Sequence, residues 1–155
     1  MIALVQRVTE AAVTVSDPPY HAAIGPGLCV LLGVQVGDTE ADAAWVAGKL
    51  ARLRIFADEA GRMNRSVQDV GGSVLLVSQF TLAGDCAKGN RPSFVGAADP
   101  ELGERLYEQV GRHLEQDHGL PVGWGQFGAA MQVALVNDGP VTLIVHREPS
   151  GNPAD

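Results

Sequence analysis

Apolar positions along the chain follow two rhythms. Near the start they alternate, so that Ile2–Val8 and Ala12–Val15 read as two strands with Thr9-Glu10 between them. Ser16-Asp17-Pro18-Pro19 marks a turn, and Tyr20–Ile24 resumes as a short strand. Gly25-Pro26-Gly27 turns the chain again. The run Leu28-Cys29-Val30-Leu31-Leu32-Gly33-Val34 is almost wholly apolar, as expected of a central strand covered on both faces. The rhythm then becomes helical. Ala43, Val46, Leu50 and Leu53 form one stripe behind the capping segment Asp38-Thr39-Glu40. Arg54-Ile55-Phe56 reads as a strand and Asp58-Glu59-Ala60-Gly61 as a hairpin-type turn. Gly71-Gly72 introduces a second deeply apolar strand, Ser73–Leu82. Residues 83–98 hold few periodic apolar positions and read as a long loop of the kind that carries function. Asp99-Pro100-Glu101 opens a second helix with Leu102, Leu106, Val110 and Leu114 on its stripe, stopped by Gly119 and Pro121. Met131–Val136 and Val141–His146 read as closing strands around Asn137-Asp138-Gly139-Pro140.

Seven or eight strands against two helices predict a mixed, sheet-dominated α/β fold with both helices on one side. The length suits one domain, expected over residues 1–146, with 147–155 as a disordered tail. Hydrophobic residues make up 46% of the chain and charged residues only 19%, a balance that points towards burial in an oligomer.

The net charge of −7 argues against sequence-blind coating of nucleic acid. Yet Lys49, Arg52, Arg54, Arg62, Arg65, Lys88 and Arg91 are seven of the eleven bases, and they lie within one stretch. Against four acids they give residues 49–91 a net of +3, while the remainder carries −10. Two readings stand: solvated faces, or a local patch that contacts a few phosphates. Cys29 and Cys86 form no C-x-x-C pair, and Cys29 reads as a small core residue. The four histidines show no metal-ligand spacing, so no metal or cofactor is expected. No apolar run spans a bilayer and no basic leader precedes the first strand, so a soluble cytoplasmic protein is expected, with no membrane partner.

No G-x-S-x-G elbow, P-loop or G-x-G-x-x-G fingerprint is present. Two segments break local rules instead. Ser78-Gln79-Phe80-Thr81-Leu82 places polar residues at the end of an apolar strand, either because the strand surfaces or because a site lies at its end. Asn137-Asp138-Gly139-Pro140-Val141-Thr142 is built of turn residues and taken alone reads as a tight turn.

These two segments occur together with Met1–Val8, Arg54-Ile55-Phe56, Gly71-Gly72-Ser73, Arg91-Pro92-Ser93-Phe94 and Met131-Gln132-Val133. In that order and spacing the chain resembles the D-aminoacyl-tRNA deacylase family over nearly its whole length. Pro18-Pro19 and the C-terminal tail depart from the pattern without touching either signature. The resemblance implies a layered α/β/β fold and a hydrolase that cleaves the ester of D-aminoacyl-tRNA and of mischarged glycyl-tRNA, a chiral proofreading step in translation. It implies a homodimer with its active sites at the interface and the acceptor end of tRNA as partner. Ser78, Gln79, Phe80 and Thr81 would form the catalytic pocket of one subunit. Gly139 and Pro140, joined by a cis bond, would reach in from the other, with Asn137, Arg7 and Met131 completing the substrate-binding set. Arg7 would steady the Gly-Pro loop, and Arg91–Phe94 would shape the surroundings.

Overall fold

The computed structural model describes residues 1–151. In chain order the elements are β1 (Ile2–Val15), β2 (Tyr20–Ile24), β3 (Gly27–Gly33), α1 (Glu40–Arg52), β4 (Phe56–Ala57), β5 (Met63–Arg65), β6 (Ser73–Ser78), a 3-10 turn (Phe80–Ala83), α2 (Pro100–Gln116), β7 (Val122–Trp124) and β8 (Met131–His146). Six strands form one sheet in the order β2-β1-β3-β6-β7, with β8 along the other edge of β1, while β4 and β5 make a small hairpin. This is a mixed, sheet-dominated α/β architecture.

The two apolar runs are central because both of their faces are covered. Leu28, Val30 and Leu32 of β3, with Val74 and Leu76 of β6, pack into a cluster with Val46, Leu50, Leu106, Val110 and Leu114 from the two helices. The intervening Cys29, Leu75 and Val77 face the opposite way, towards Val8, Ala11 and Val13 of β1, with Tyr20, Ile24 and Met131 around them. Alternation along the same strands therefore feeds two cores, one beneath the helices and one on the other face of the sheet. β3 and β6 run parallel in close register, and Gly27 is the place where that register is tightest. A Cβ there would lie 1.9 Å from the carbonyl oxygen of Ser73.

Several expectations change in three dimensions. The two predicted opening strands are one strand, β1, because β8 hydrogen-bonds along its full length. Its partners on the other edge are β3 for residues 2–8 and β2 for residues 11–15. Thr9-Glu10 marks an irregularity rather than a break: register shifts fall between Gln6 and Val8 and between Val8 and Glu10. The buried positions Val5, Val8 and Ala11 are accordingly three apart rather than two. The two closing strands are likewise one, β8. The strand expected to reach Leu82 ends at Ser78, and the one expected over Arg54-Ile55-Phe56 covers Phe56–Ala57. β5 and β7 are too short to show a rhythm.

The tail is also corrected in part. Residues 147–151 are docked rather than disordered, while 152–155 lie outside the described residues. The reason is Asp42, a buried carboxylate on α1. Arg147 Nε donates to it at 3.0 Å, and Ser150 donates its N–H at 3.0 Å and its hydroxyl at 2.7 Å. The Thr39 N–H closes the capping box from the other side at 3.0 Å. Burial opposes the charge of Asp42, but these donors outweigh it and hold the carboxyl well below the usual carboxylate range. A depressed folded pKa gives stability that is complete above the unfolded value near 3.9 and is lost as pH falls below it. We expect Asp42→Asn to lower the unfolding temperature near neutral pH. Its deficit against wild type should shrink progressively below about pH 4, as read by thermal melts across the acid range.

Candidate active site

β3 and β6 pair up to Leu32 and Ser78, and the chain must then leave the sheet. The Gln79 N–H still reaches the Leu32 carbonyl at 2.8 Å, after which Phe80–Ala83 winds into the 3-10 turn. Gly33 permits that exit, since a Cβ there would meet the Gln79 carbonyl oxygen at 2.9 Å. Phe80 and Thr81 are the first two residues of the turn, so their N–H groups have no partner within it.

Beside this turn lies a largely apolar cavity of about 510 Å³. β3 and its extension contribute Leu32 and Val34, and β6 with its exit contributes Val77, Ser78, Gln79 and Phe80. The start of α2 adds Asp99, Pro100, Gly103 and Tyr107, and the approach to β8 adds Phe127, Gly128, Ala129 and Met131. Few polar groups converge on an apolar pocket of this size, which is the usual form of a small-ligand site. Its titratable lining groups, among the described residues, are Asp99 and Tyr107. Asp99 caps α2 by accepting the Leu102 N–H at 3.0 Å. Burial pushes the Tyr107 hydroxyl up, so it stays a neutral donor, and it bonds the carbonyls of Leu76 at 2.8 Å and Gly125 at 3.2 Å.

Of the predicted catalytic set, Ser78, Gln79 and Phe80 line the cavity, and Met131 joins them. Thr81 does not; it is exposed, and its hydroxyl accepts a bond from Gln79 Nε2 at 2.5 Å. Among the described residues no histidine lines the cavity beside these residues, and the carboxylate that does, Asp99, is engaged in capping α2. Cys29 is no nucleophile either, since burial pushes its thiol up to about 11. What the site does offer is backbone N–H groups at the mouth of an apolar pocket.

The second motif lies elsewhere on the same chain. Gln6 pairs with Thr142 and Val8 with Asn137, so residues 138–141 bulge out opposite Arg7. Asn137 closes the neck of the bulge. Its Oδ1 accepts the Val141 N–H at 2.8 Å, and its Nδ2 donates to Thr142 Oγ1 at 3.0 Å. Arg7 Nε donates to the Asp138 carbonyl at 3.0 Å and lies 3.2 Å from its carboxylate. Arg7 Nη1 is tied in turn to the carbonyl of Ile55. The bulge therefore projects exposed Gly139 and Pro140 from a braced base. Among the described residues two bonds are cis, Asp17–Pro18 and Gly139–Pro140. None of Arg7, Asn137, Gly139 or Pro140 lines the cavity of its own chain.

The sequence and the overall fold are matched among known proteins. Residues 4–146 match the family described as D-Tyr-tRNA(Tyr) deacylase. The chain belongs to that family. It is 57% identical over 145 residues to a D-aminoacyl-tRNA deacylase of Chlorobium limicola, covering 94% of this chain and 96% of that protein. It is 59% identical over 145 residues to one from Geobacter sulfurreducens, covering 94% of each. A solved structure described as c-Myc DNA Unwinding Element Binding Protein superimposes with a TM-score of 0.88 at 42% identity, over 96% of this chain and 99% of that one. A probable eukaryotic D-amino acid tRNA deacylase shares the fold, with a TM-score of 0.80 at 18% identity over 93% of this chain and 97% of that one.

In this deacylase-family chain the Arg91–Phe94 segment meets the cavity indirectly. The Phe94 ring stands edge-on to that of Phe80, 5.2 Å between centroids, and Asp85 and Ser93 exchange backbone bonds that fold the loop. Sequence reasoning missed Tyr107 and the Phe127–Ala129 segment. Tyr107 reads as one more apolar residue next to a helix stripe, and only Gly128, which adopts φ 73°, carries a local signal. Tyr107 braces the cavity through Gly125, whereas Leu76 also accepts the Gly125 N–H. We expect Tyr107→Phe to leave the Gly125 carbonyl unpaired and to destabilise the fold by about 1 kcal/mol, read from urea unfolding midpoints.

Proposed function

We propose that this chain hydrolyses the ester joining a D-amino acid to the end of tRNA, as a homodimer, and so removes wrong-handed amino acids before translation. The observation that carries the reading is family membership across residues 4–146, with relatives described as D-aminoacyl-tRNA deacylases at 57–59% identity. In the reaction a water oxygen bonds to the ester carbonyl carbon, the carbon–ribose oxygen bond breaks, and a proton passes to the ribose oxygen. An aminoacyl ester is already activated, so backbone donors suffice to assist it. The N–H groups of Phe80 and Thr81 receive the developing oxyanion, each such donor being worth about 3–4 kcal/mol. Among the described residues no histidine lines the cavity and its carboxylate, Asp99, caps α2, which supports a role for the neighbouring ribose 2′-hydroxyl over Thr81.

The homodimer rests on β8. Among the described residues no strand pairs with its outer edge. Val133, Val136, Leu143 and Ile144 on it are exposed, Ile144 to 69%. A second copy packed along that edge covers these apolar side chains and brings a projecting Gly139-Pro140 bulge to a neighbouring cavity. That pairing gives the two motifs, separate in one chain, a common site. The carbonyls of Gly139 and Pro140 then occupy the space of an L side chain, so selection works by exclusion. A D side chain points away from them, and glycine has none to reject, so glycyl-tRNA is also cleaved.

A second reading is a nucleic-acid-binding dimer without catalysis, favoured by the name of the structure that is 42% identical. Incubation with D-tyrosyl-tRNA and L-tyrosyl-tRNA separates the two. We expect rapid loss of the D-ester and survival of the L-ester. Survival of both, with folded dimeric protein, sinks the enzymatic reading. For the assembly, Ile144→Asp should shift the sedimenting species from dimer to monomer and abolish D-ester hydrolysis. An active monomer overturns the shared-site account.

A further inference from the structure

A second concavity, of about 390 Å³, lies away from the candidate active site. It is lined by Trp45, Lys49, Arg52, Leu53 and Arg54. Three of its five lining residues are cations and none is an acid. Lys49, Arg52 and Arg54 are all exposed, and among the described residues none of them forms an ion pair. The nearby acids Asp58 and Asp69 are engaged in their own turns. Asp58 accepts from the N–H groups of Ala60 and Arg62, and Asp69 from the N–H and hydroxyl of Ser66.

The simplest account of Lys49 and Arg52 is that they complement the end of α1, whose last turn they occupy. A helix end carries about half a negative charge, so two full positive charges exceed what it needs, and Arg54 lies beyond it. Nor does that account explain Trp45. Its ring is 38% exposed, with Lys49 Nζ 5.5 Å and the Arg147 guanidinium 5.3 Å from its centroid. Arg147 is itself anchored on Asp42, so the docked tail fixes one side of the indole. The ring therefore serves as a post that keeps a lysine ammonium at the pocket. Three cations without an ion pair around one concavity, with Lys49 held at the indole and Arg54 at Asn64, suit an anionic ligand such as phosphate oxygens, on a protein of net charge −7.

The patch is also placed beside the Gly-Pro bulge. Arg54 precedes Ile55, whose carbonyl holds Arg7, and Arg7 holds Asp138 at the base of the bulge. We propose that Lys49, Arg52 and Arg54 form a docking surface for the phosphodiester backbone of the substrate RNA. This rests on the deacylase reading. On the dimer arrangement above, the patch belongs to the subunit that lends its bulge, so RNA leaving one subunit's cavity is gripped by the other. It narrows the basic stretch 49–91 to three side chains that share one concavity.

The test uses a Lys49→Ala/Arg52→Ala double variant, which leaves intact the bonds from Arg54 to Asn64. Hydrolysis is compared on D-tyrosyl-tRNA and on the D-tyrosyl ester of adenosine, which has no phosphate backbone. Affinity for uncharged tRNA is followed by fluorescence anisotropy against salt. We expect KM for the tRNA substrate and Kd for uncharged tRNA to rise roughly tenfold, and the slope of log affinity against log salt to fall by about 1.5. kcat on tRNA and hydrolysis of the adenosine ester should match wild type. Lys49→Arg/Arg52→Lys, which keeps the charge, should bind tRNA as wild type does. Unchanged tRNA affinity and salt slope overturn the proposal, as does an equal loss on both substrates. If wild type cleaves neither ester, the deacylase reading fails, and the anisotropy titration still decides whether the patch binds RNA.

Discussion

The constraint on which the rest depends is the double hydrogen bonding of β1. One long strand donates and accepts along both edges, to β8 on one side and to β3 and then β2 on the other. That arrangement keeps β8 on the outside of the molecule for its whole length, with an unpaired outer edge among the described residues. It also sets where β8 fails to pair. The register shifts around Val8 force four residues out of the ladder opposite Arg7, and those residues are the Gly-Pro bulge. A candidate functional element is thus the by-product of a strand mismatch that β1 tolerates because its other edge remains bonded.

The cavity depends on a different use of the same sheet. Parallel strands β3 and β6 end together, and an apolar sheet end has to be covered or filled. The helix layer covers one face and β8 with its approach covers the other, leaving a space where Ser78, Gln79 and Phe80 leave the sheet. A buried tyrosine hydroxyl holds two backbone segments beside that space, so the pocket is shaped by structure that takes no part in the chemistry. On the proposed reading, such a site works by position and exclusion. It needs a fixed frame more than it needs reactive side chains.

Much of this was legible in the chain. The apolar runs at 28–34 and within 73–82 had to be central strands, since no single covered face accounts for apolar residues at consecutive positions, although the second ends at Ser78. The helix stripes, the caps at Thr39 and Asp99, and the mixed fold with two helices on one side followed from periodicity and capping chemistry. The signature segments marked both halves of the candidate site through resemblance, because polar and turn residues at the ends of apolar strands are unusual enough to be matched.

Other features were not legible, for physical reasons. Thr9-Glu10 and Asn137–Pro140 look like breaks, because a bulge and a turn use the same residue types; only the partner strand decides whether the ladder resumes. The sequence 147–151 looks like a tail, because Arg147 and Ser150 have no local partner. Their partner, Asp42, lies more than a hundred residues away and meets them only in the folded chain. Tyr107 and Phe127–Ala129 enter the cavity only through packing between α2 and the approach to β8. Sequence by itself therefore determined the two central strands, the two helices, and which family they compose, since these rest on local periodicity and local chemistry. The tertiary structure alone decided which breaks are bulges, which residues share the cavity, and that one chain holds its two motifs apart, since these rest on contacts between residues far apart in sequence.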